Sequence, residues 1–285
     1  MAAVNLTSRP KTAAGRGVRV RFYVMTALIV LLFLFSLIAP LLEPNDPNAT
    51  NPFQMGVGPC AKYPLGTDLY GRCILSRILD GARTSIFSAV LLVLVTFLPG
   101  TLIGMAAGWH GGAADSILMR LTDWAMAFPQ MVLAIAVAGV LGGGLSAAIL
   151  ALGITGWTLY ARQARSYTLS LKKENFLTAA RLYGESSPYI LMRHVLPNIF
   201  GPMAVSASTQ IGTNLIAIAG LSFLGLGVTP PQAEWGSMIN ENRAYMELTP
   251  WSVWAPAITI LVTVILFNYF GDTVRDYLEE RGKRV

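Results

Sequence analysis

The chain has 285 residues, a formal net charge of +6, and only 13% charged residues against 54% hydrophobic ones. A soluble domain usually carries about 25% charged residues, so this chain lacks the polar surface that a soluble protein of its length needs. Its mean hydropathy of +0.54 favours a lipid bilayer as the solvent. The basic residues lie beside apolar runs and form no single soluble face, so we expect no nucleic-acid partner.

Six apolar runs approach the length of about 20 residues that a membrane crossing requires. They cover roughly 22–42, 85–108, 116–141, 146–164, 199–221 and 252–271. Gly, Ser and Thr dilute the fourth and fifth runs, which suits helices that are buried in a bundle. The first run is too long for a signal peptide and is followed by no small-residue cleavage site, so we interpret it as a retained span.

These runs predict an all-α membrane protein with six transmembrane helices. The predicted parts are an N-terminal tail (1–21), a first transmembrane helix (22–42), an external loop with an amphipathic interfacial helix (43–84), a five-helix core (85–275) that includes a polar loop (166–198), and a C-terminal tail (276–285).

Lysine and arginine beside the spans predict the orientation. Three basic segments fall on one side of a six-span topology: the N-terminal tail, the loop 166–198 and the C-terminal tail. On the other side, 43–84 and 222–251 hold basic and acidic residues in closer balance. Because cytoplasmic loops carry the excess of basic residues, we expect both termini to be cytoplasmic.

The loop 166–198 is too polar to cross a membrane but has the pattern of a folded unit. Residues 169–183 are mostly good helix formers, and Gly184 follows as a left-handed stop. Ser186 or Ser187 then caps a second helix, which we expect Pro197 to end. We call residues 169–196 the knuckle. The apolar stripe predicted on its first helix consists of Phe176, Ala179, Ala180 and Tyr183.

The external segment 63–86 reads as an amphipathic helix in the outer interface, with Ile74, Ile78 and Ala82 on its apolar face. Two cysteines, Cys60 and Cys73, belong to the same external region. A disulfide and two free thiols both stay open, because disulfides persist outside the cytoplasm and sequence alone does not fix their geometry.

Ionisable residues near the ends of the spans favour structural roles. Arg120 and Asp123 are three residues apart in the third span and predict a mutual pair near the interface. Asp272 and Arg275 predict a similar structural cluster at the end of the sixth span. Pro129 should kink the third span, because it removes a backbone donor. The two histidines have no metal-ligand spacing, so we expect no metal site.

Four motifs resemble the permease subunits of ABC importers in the dipeptide, oligopeptide and nickel branch. The knuckle is similar to a loop of this family that reads Glu-Ala-Ala, then three residues, then Gly, then a basic stretch that ends in His-x-Leu-Pro. The matching residues in this chain are Thr178, Ala179, Ala180, Gly184, Arg193, His194 and Pro197. Thr178 departs from the usual Glu. The other motifs lie in 63–86, 220–239 and 267–281, with further likeness at MRLTDWAMAFP in the third span. The family's Asp after Gly-Arg is Cys73 in this chain.

The resemblance implies a type I ABC importer permease in which the knuckle is the coupling loop. It implies a second, different permease subunit, two cytoplasmic ATPase subunits and an external substrate-binding protein, in a bacterial cytoplasmic membrane. The chain has no G-x-x-x-x-G-K-[ST] phosphate loop, so we expect no ATPase site or cofactor in it, with ATP and Mg²⁺ bound by the partners.

The sequence gives less support to two other classes of function. A secondary transporter would favour internal repeats and ionisable groups at the membrane midplane, and the charges here lie near span ends. A membrane enzyme would need a catalytic constellation within the spans, and none is evident. Peptides and chelated nickel both stay open as substrates.

Overall fold

A computed structural model describes residues 11–282, and the side chains within 16–280. In this range the regular secondary structure is helical apart from one isolated bridge between Thr67 and Cys73. The α-helices are α1 (Lys11–Ile38), α2 (Ile74–His110), α3 (Gly112–Met126), α4 (Gln130–Val140), α5 (Leu145–Leu171), α6 (Asn175–Leu182), α7 (Ser187–Ile190), α8 (Leu196–Phe223), α9 (Trp235–Asn242) and α10 (Pro250–Gly282).

The helices agree with the six predicted spans, and the all-α membrane class is confirmed. Among the described residues, five helical segments are long and apolar enough to cross a membrane; they comprise α1, α2, α5, α7 joined to α8, and α10. The third predicted span corresponds to the pair α3 and α4, which pass the same test of length and composition together but are bent by 80° at a break. Pro129 lies in that break, so the predicted kink is a complete interruption of the helix.

Both end helices extend beyond their predicted spans into the predicted tails. The helix α1 begins by Lys11, inside the predicted tail 1–21, and α10 continues to Gly282, inside the predicted tail 276–285. Residues 1–10 and 283–285 lie outside the described part. The extensions pack on each other, because Phe22 stacks on Tyr277 at 4.3 Å and Arg21 lies 4.0 Å from Asp276.

The prediction of a separate amphipathic helix in 43–84 is wrong, because residues 74–84 form the first turns of the 37-residue helix α2. Arg83 on the polar face of these turns is exposed, but Arg77 is only 1% exposed, and its guanidinium donates to the carbonyl oxygens of Pro47 and Pro231. The buried part of the polar face is covered by residues 43–73 and 224–249, which we call the cap.

An ionic network closes the cap over α2. Arg72 pairs with Asp68 and with Glu241, and Glu241 also accepts a hydrogen bond from Arg77 at 3.3 Å. All four side chains are at least nine-tenths buried. Removing one partner of such a group leaves a buried charge uncompensated, so the network holds its members in one arrangement. Cys60 and Cys73 are free thiols in the structure, the first exposed and the second buried.

Glu43 gives the cap a pH-dependent element. One of its carboxyl oxygens is buried without a hydrogen-bond partner in the described structure. Burial, and then the charges of Asp80 and Asp46, raise the pKa of Glu43 from 4.5 to about 7. The neutral form of Glu43 therefore contributes to the stability of the folded protein. This contribution is fully present below about pH 4.5 and is lost as the pH rises through about 7.

We predict that Glu43→Gln raises the unfolding temperature of the purified protein at pH 8, because it removes a carboxylate that folding forces into a poorly solvated site. The difference from the wild type should vanish at pH 4.5, where the wild-type carboxyl is already neutral. Thermal unfolding in detergent at both pH values measures it. A wild type more stable than the variant at pH 8 would contradict the prediction.

The closest helix contact in the bundle is a glycine seam between α2 and α5. Gly100, Gly104 and Gly108 recur every four residues and place one face of α2 directly on the backbone of α5. A Cβ atom added at Gly104 would lie 2.1 Å from the carbonyl oxygen of Ala161, and one at Gly100 would lie 2.3 Å from that of Trp157. Small residues at this spacing let helices approach in lipid, where hydrophobicity does not drive them together.

We predict that Gly104→Ala destabilises the folded bundle by about 1–3 kcal/mol, the usual cost of overpacking, because the two helices must separate. The matched control is Gly139→Ala, since Gly139 is also helical but a Cβ there would meet nothing within 4 Å. Both exchanges gain the same helix propensity, so the difference in unfolding temperature reports the seam. Equal stability of the two variants would contradict it.

Candidate docking site

The knuckle is built around the predicted left-handed residue at Gly184, which has φ = 81°. The N–H of Gly184 donates to the carbonyl of Arg181 at 3.0 Å, and that of Glu185 donates to the carbonyl of Ala180 at 3.2 Å. This pair of bonds is the Schellman motif that ends a helix. A tight reversal therefore joins α6 to α7, with Ser186 at the start of α7 and Pro188 in its first turn.

The first predicted knuckle helix, 169–183, is interrupted. The helix α5 runs to Leu171, three residues make a turn, and α6 begins at Asn175. The ammonium group of Lys172 in this turn donates to the carbonyl of Trp109 at the end of α2. A chain that leaves a span and then lies across its end must turn, and helix propensity alone does not reveal where.

Pro197 does not end the second helix as predicted. Residues Leu191–Val195 form a π-helix, and the chain continues into α8, with Pro197 in its first turn. The N–H of Leu196 donates to the carbonyl of Leu191, five residues back. A π segment tolerates the absence of the N–H donor at Pro197. The knuckle is therefore joined to the α8 span without a flexible hinge.

The inner side of the knuckle belongs to a hydrophobic core. Leu177 and Val195 are fully buried, and Ala180 and Ile190 are nearly so. They share one cluster with side chains from three span helices, namely Met105, Trp109, Tyr160, Ala164, Ile199 and Met203. Arg181 adds a cation–π contact to Trp109, with its guanidinium 4.2 Å from the ring centre. The knuckle is thus packed rigidly on α2, α5 and α8.

The predicted apolar stripe divides between the two sides of α6. Of its four members only Ala180 is buried, together with Leu177, which the stripe omitted. Phe176 is 43% exposed and Tyr183 is 87% exposed. The periodicity predicted a helix with an apolar stripe but not which of its residues pack inward, since packing against the spans decides that.

The outer side of the knuckle is an exposed apolar surface. We call it the docking face; its large side chains are Phe176, Leu182, Tyr183, Tyr189 and Met192. Leu182 is 85% exposed and Met192 is 55% exposed. Contiguous exposed apolar side chains on a rigid element mark an interaction surface. Thr178 and Ala179 are also exposed on α6, so the position where the family spelling departs lies on the accessible side.

The polar residues of the motif stabilise the reversal from its edges. His194 Nε2 lies 2.9 Å from a carboxyl oxygen of Glu185, the residue that follows Gly184. Arg193 and Pro197 are exposed. Next to the knuckle, Arg165 of α5 forms a double hydrogen bond with Asp115 of α3 at 2.5 and 2.6 Å. These contacts tie the first turn of α3 to the end of α5.

The predicted charge cluster separates into two places. Asp123 pairs with Arg162 of α5 at 2.6 Å, so Arg120 is not its partner. Arg275 pairs with Glu279, one turn along α10, at 3.0 Å. The predicted mutual pair of Arg120 and Asp123 is therefore not present, because the fold brings Arg162 to Asp123.

No group of three or more His, Cys, Asp or Glu side chains that could hold a metal ion occurs in the described part of the chain. The candidate site therefore combines an exposed docking face with an attachment to three span helices of a membrane protein.

Comparison with known proteins identifies the family. Residues 100–284 match the family described as binding-protein-dependent transport system inner membrane component, and the chain belongs to it. The dipeptide transport system permease protein DppC of Alkalihalophilus pseudofirmus is 37% identical over 90% of this chain and 84% of its own. The nickel transport system permease protein NikC of Escherichia coli is 38% identical over 91% and 94%.

The glutathione transport system permease protein GsiD of Pectobacterium atrosepticum is 40% identical over 90% of this chain and 85% of its own. A solved structure of the inward-facing MetNI methionine ABC transporter matches with a TM-score of 0.53 at 17% identity, covering 68% of this chain and 94% of the other. The predicted type I importer fold and the class of ABC importer permease are confirmed. The comparisons support this class and give no support to a secondary transporter.

Proposed function

We propose that the docking face is the surface on which a cytoplasmic ATPase subunit seats and through which it moves this permease. The observation that carries the proposal is the combination of an exposed apolar outer side with an inner side buried in the core of three span helices. A force applied to Leu182 or Tyr183 would pass directly to α2, α5 and α8, because no flexible segment intervenes.

The assembly proposed for the working importer follows from the family. This chain pairs with a second, different permease, two ATPase subunits bind on the cytoplasmic side, and an external binding protein delivers substrate to the cap. ATP and Mg²⁺ are held by the ATPase subunits, and this chain contributes no catalytic group or cofactor. Both termini and the knuckle face the cytoplasm, which is the side that the excess of Lys and Arg favours.

The proposed substrates are peptides or chelated nickel, because the relatives named above are called permeases for dipeptide, glutathione and nickel. The proposed location is a bacterial inner membrane. Thr178 has no carboxylate, so no contact that requires one can form at this point of the knuckle. ATPase binding here therefore depends on the apolar side chains of the docking face.

We predict that Leu182→Glu weakens binding of the ATPase subunit at least tenfold, because it places a charge in the centre of an apolar contact. The matched control is Leu248→Glu, since Leu248 is 70% exposed on the cap at the other end of the molecule. Co-purification of the ATPase with the permease pair measures the effect. Equal ATPase retention by both variants would contradict the assignment of the docking face.

We predict that Gly184→Val leaves the protein in the membrane but separates ATP hydrolysis from uptake. A β-branched residue is strained at positive φ and would distort the reversal between α6 and α7. Gly184→Asn is the control, because Asn tolerates this conformation and a Cβ here meets nothing within 4 Å. The ratio of transported substrate to hydrolysed ATP in proteoliposomes measures it. A normal ratio for the valine variant would count against the knuckle as transmitter.

A further inference from the structure

A polar cavity of about 380 Å³ lies where the third span is broken. Its walls come from α2, α5 and α8 and from the break between α3 and α4. Its polar lining side chains are Thr96, Gln130, Thr155, Thr158, Tyr160, Gln210 and Asn214. None of its lining residues carries a charge. Broken backbone at membrane depth is tolerated where it lines a cavity, so the break and the cavity explain each other.

Several polar groups around this cavity have no partner. Asn214 is 8% exposed and forms no side-chain hydrogen bond within the described part of the chain. The hydroxyl oxygens of Thr155 and Tyr160 are buried and also unpartnered there. An unsatisfied buried polar group costs about 1–3 kcal/mol, so a cluster of them requires an explanation. A transient ligand that accepts and donates hydrogen bonds supplies one.

The N-terminus of helix α4 lies at the wall of the same cavity. It has 11 residues and begins at Gln130, and its N-cap Pro129 provides no side-chain cap. Phe128, Pro129 and Gln130 all line the cavity, so the helix starts at its wall. The N-terminus of a helix carries partial positive charge and free N–H groups, and half-helices in transporters present this end to anionic substrate groups.

We propose that this cavity is a subsite for the carboxylate end of a peptide passing through the importer. The helix N-terminus favours an anion, and the amide and hydroxyl side chains provide donors without an opposing charge. A bare metal cation would find neither an anionic ligand nor an imidazole among the lining residues. This inference rests on the proposed function and narrows its substrates to molecules that carry a carboxylate.

The experiment uses the complete importer in proteoliposomes, with radiolabelled glycyl-leucine as the probe. Thr155→Val and Asn214→Leu keep the side-chain shape and remove the polar group. Each should lower the maximal uptake rate at least fivefold, while complex yield and ATP hydrolysis stimulated by the binding protein stay within twofold. Thr101→Val is the matched control, because the Thr101 hydroxyl is equally buried and unpartnered but lies outside the cavity.

The sign of the recognised charge is tested by Asn214→Asp. A carboxylate in the cavity repels the carboxylate of the peptide, so uptake should fall below that of Asn214→Leu. Higher uptake in the Asp variant than in the Leu variant would overturn the inference, as would wild-type uptake by both Thr155→Val and Asn214→Leu. An equal loss in Thr101→Val would also overturn it, since the effect would then be general packing.

A second probe, nickel chloride supplied without a chelator, separates this inference from the proposed function. ATP-driven uptake of free nickel but not of glycyl-leucine by the wild type would overturn the carboxylate subsite and leave the permease function in place. Absence of ATP-driven uptake of both probes, with an assembled complex and loaded binding protein, would overturn both.

Discussion

The glycine seam between α2 and α5 is the constraint on which the rest of the structure depends. Backbone atoms of the two helices approach where Gly100, Gly104 and Gly108 face the carbonyls of α5, and no larger residue fits there. Because lipid offers no hydrophobic drive for helix association, this close fit is what joins the two helices. The knuckle core begins at one end of the seam with Met105 and Trp109, and the polar cavity begins at the other with Thr96.

This arrangement makes one rigid unit of the parts that transport requires. The knuckle packs on α2 and α5 near the last glycine of the seam, and the π segment joins it to α8. The same three helices wall the cavity. The cap is fixed to the first turns of α2 by buried charges that hold only as a complete set. In the function proposed above, a push on the docking face would move the cavity wall and the cap attachment together.

Much of the fold could be predicted from the sequence because membrane spans have a strong signature. The apolar runs predicted the five helices that are long enough to cross a membrane and the bent pair α3 and α4. Gly184 predicted the reversal because a left-handed stop suits glycine. The glycine seam was not predicted, because the sequence does not show which helix packs against Gly100, Gly104 and Gly108. Sequence could not show that α2 includes the amphipathic segment either, because part of its cover comes from 224–249, far along the chain.

The sequence predicted a helix–turn–helix unit at the candidate site but not which of its residues face the spans. Leu177, which the predicted stripe omitted, takes the inner position beside Trp109, while Phe176 and Tyr183 stay exposed. The predicted pair of Arg120 and Asp123 is wrong, because the fold brings Arg162, 39 residues away, to Asp123. The cavity could not be predicted, since it consists of unremarkable Thr, Gln and Asn residues that only the break at Pro129 brings together.

The most direct measurement of this account is a pair of spin-label distances in the assembled importer. Labels at exposed Lys173 on the knuckle, outside the docking face, and at exposed Leu98 on α2 report movement within the subunit, in a variant without Cys60 and Cys73. A third label on the second permease reports movement between subunits. The account predicts that vanadate trapping of the ATPases changes the distance between subunits and leaves the distance between the labels at 173 and 98 unchanged. A change of that distance within the subunit would contradict it.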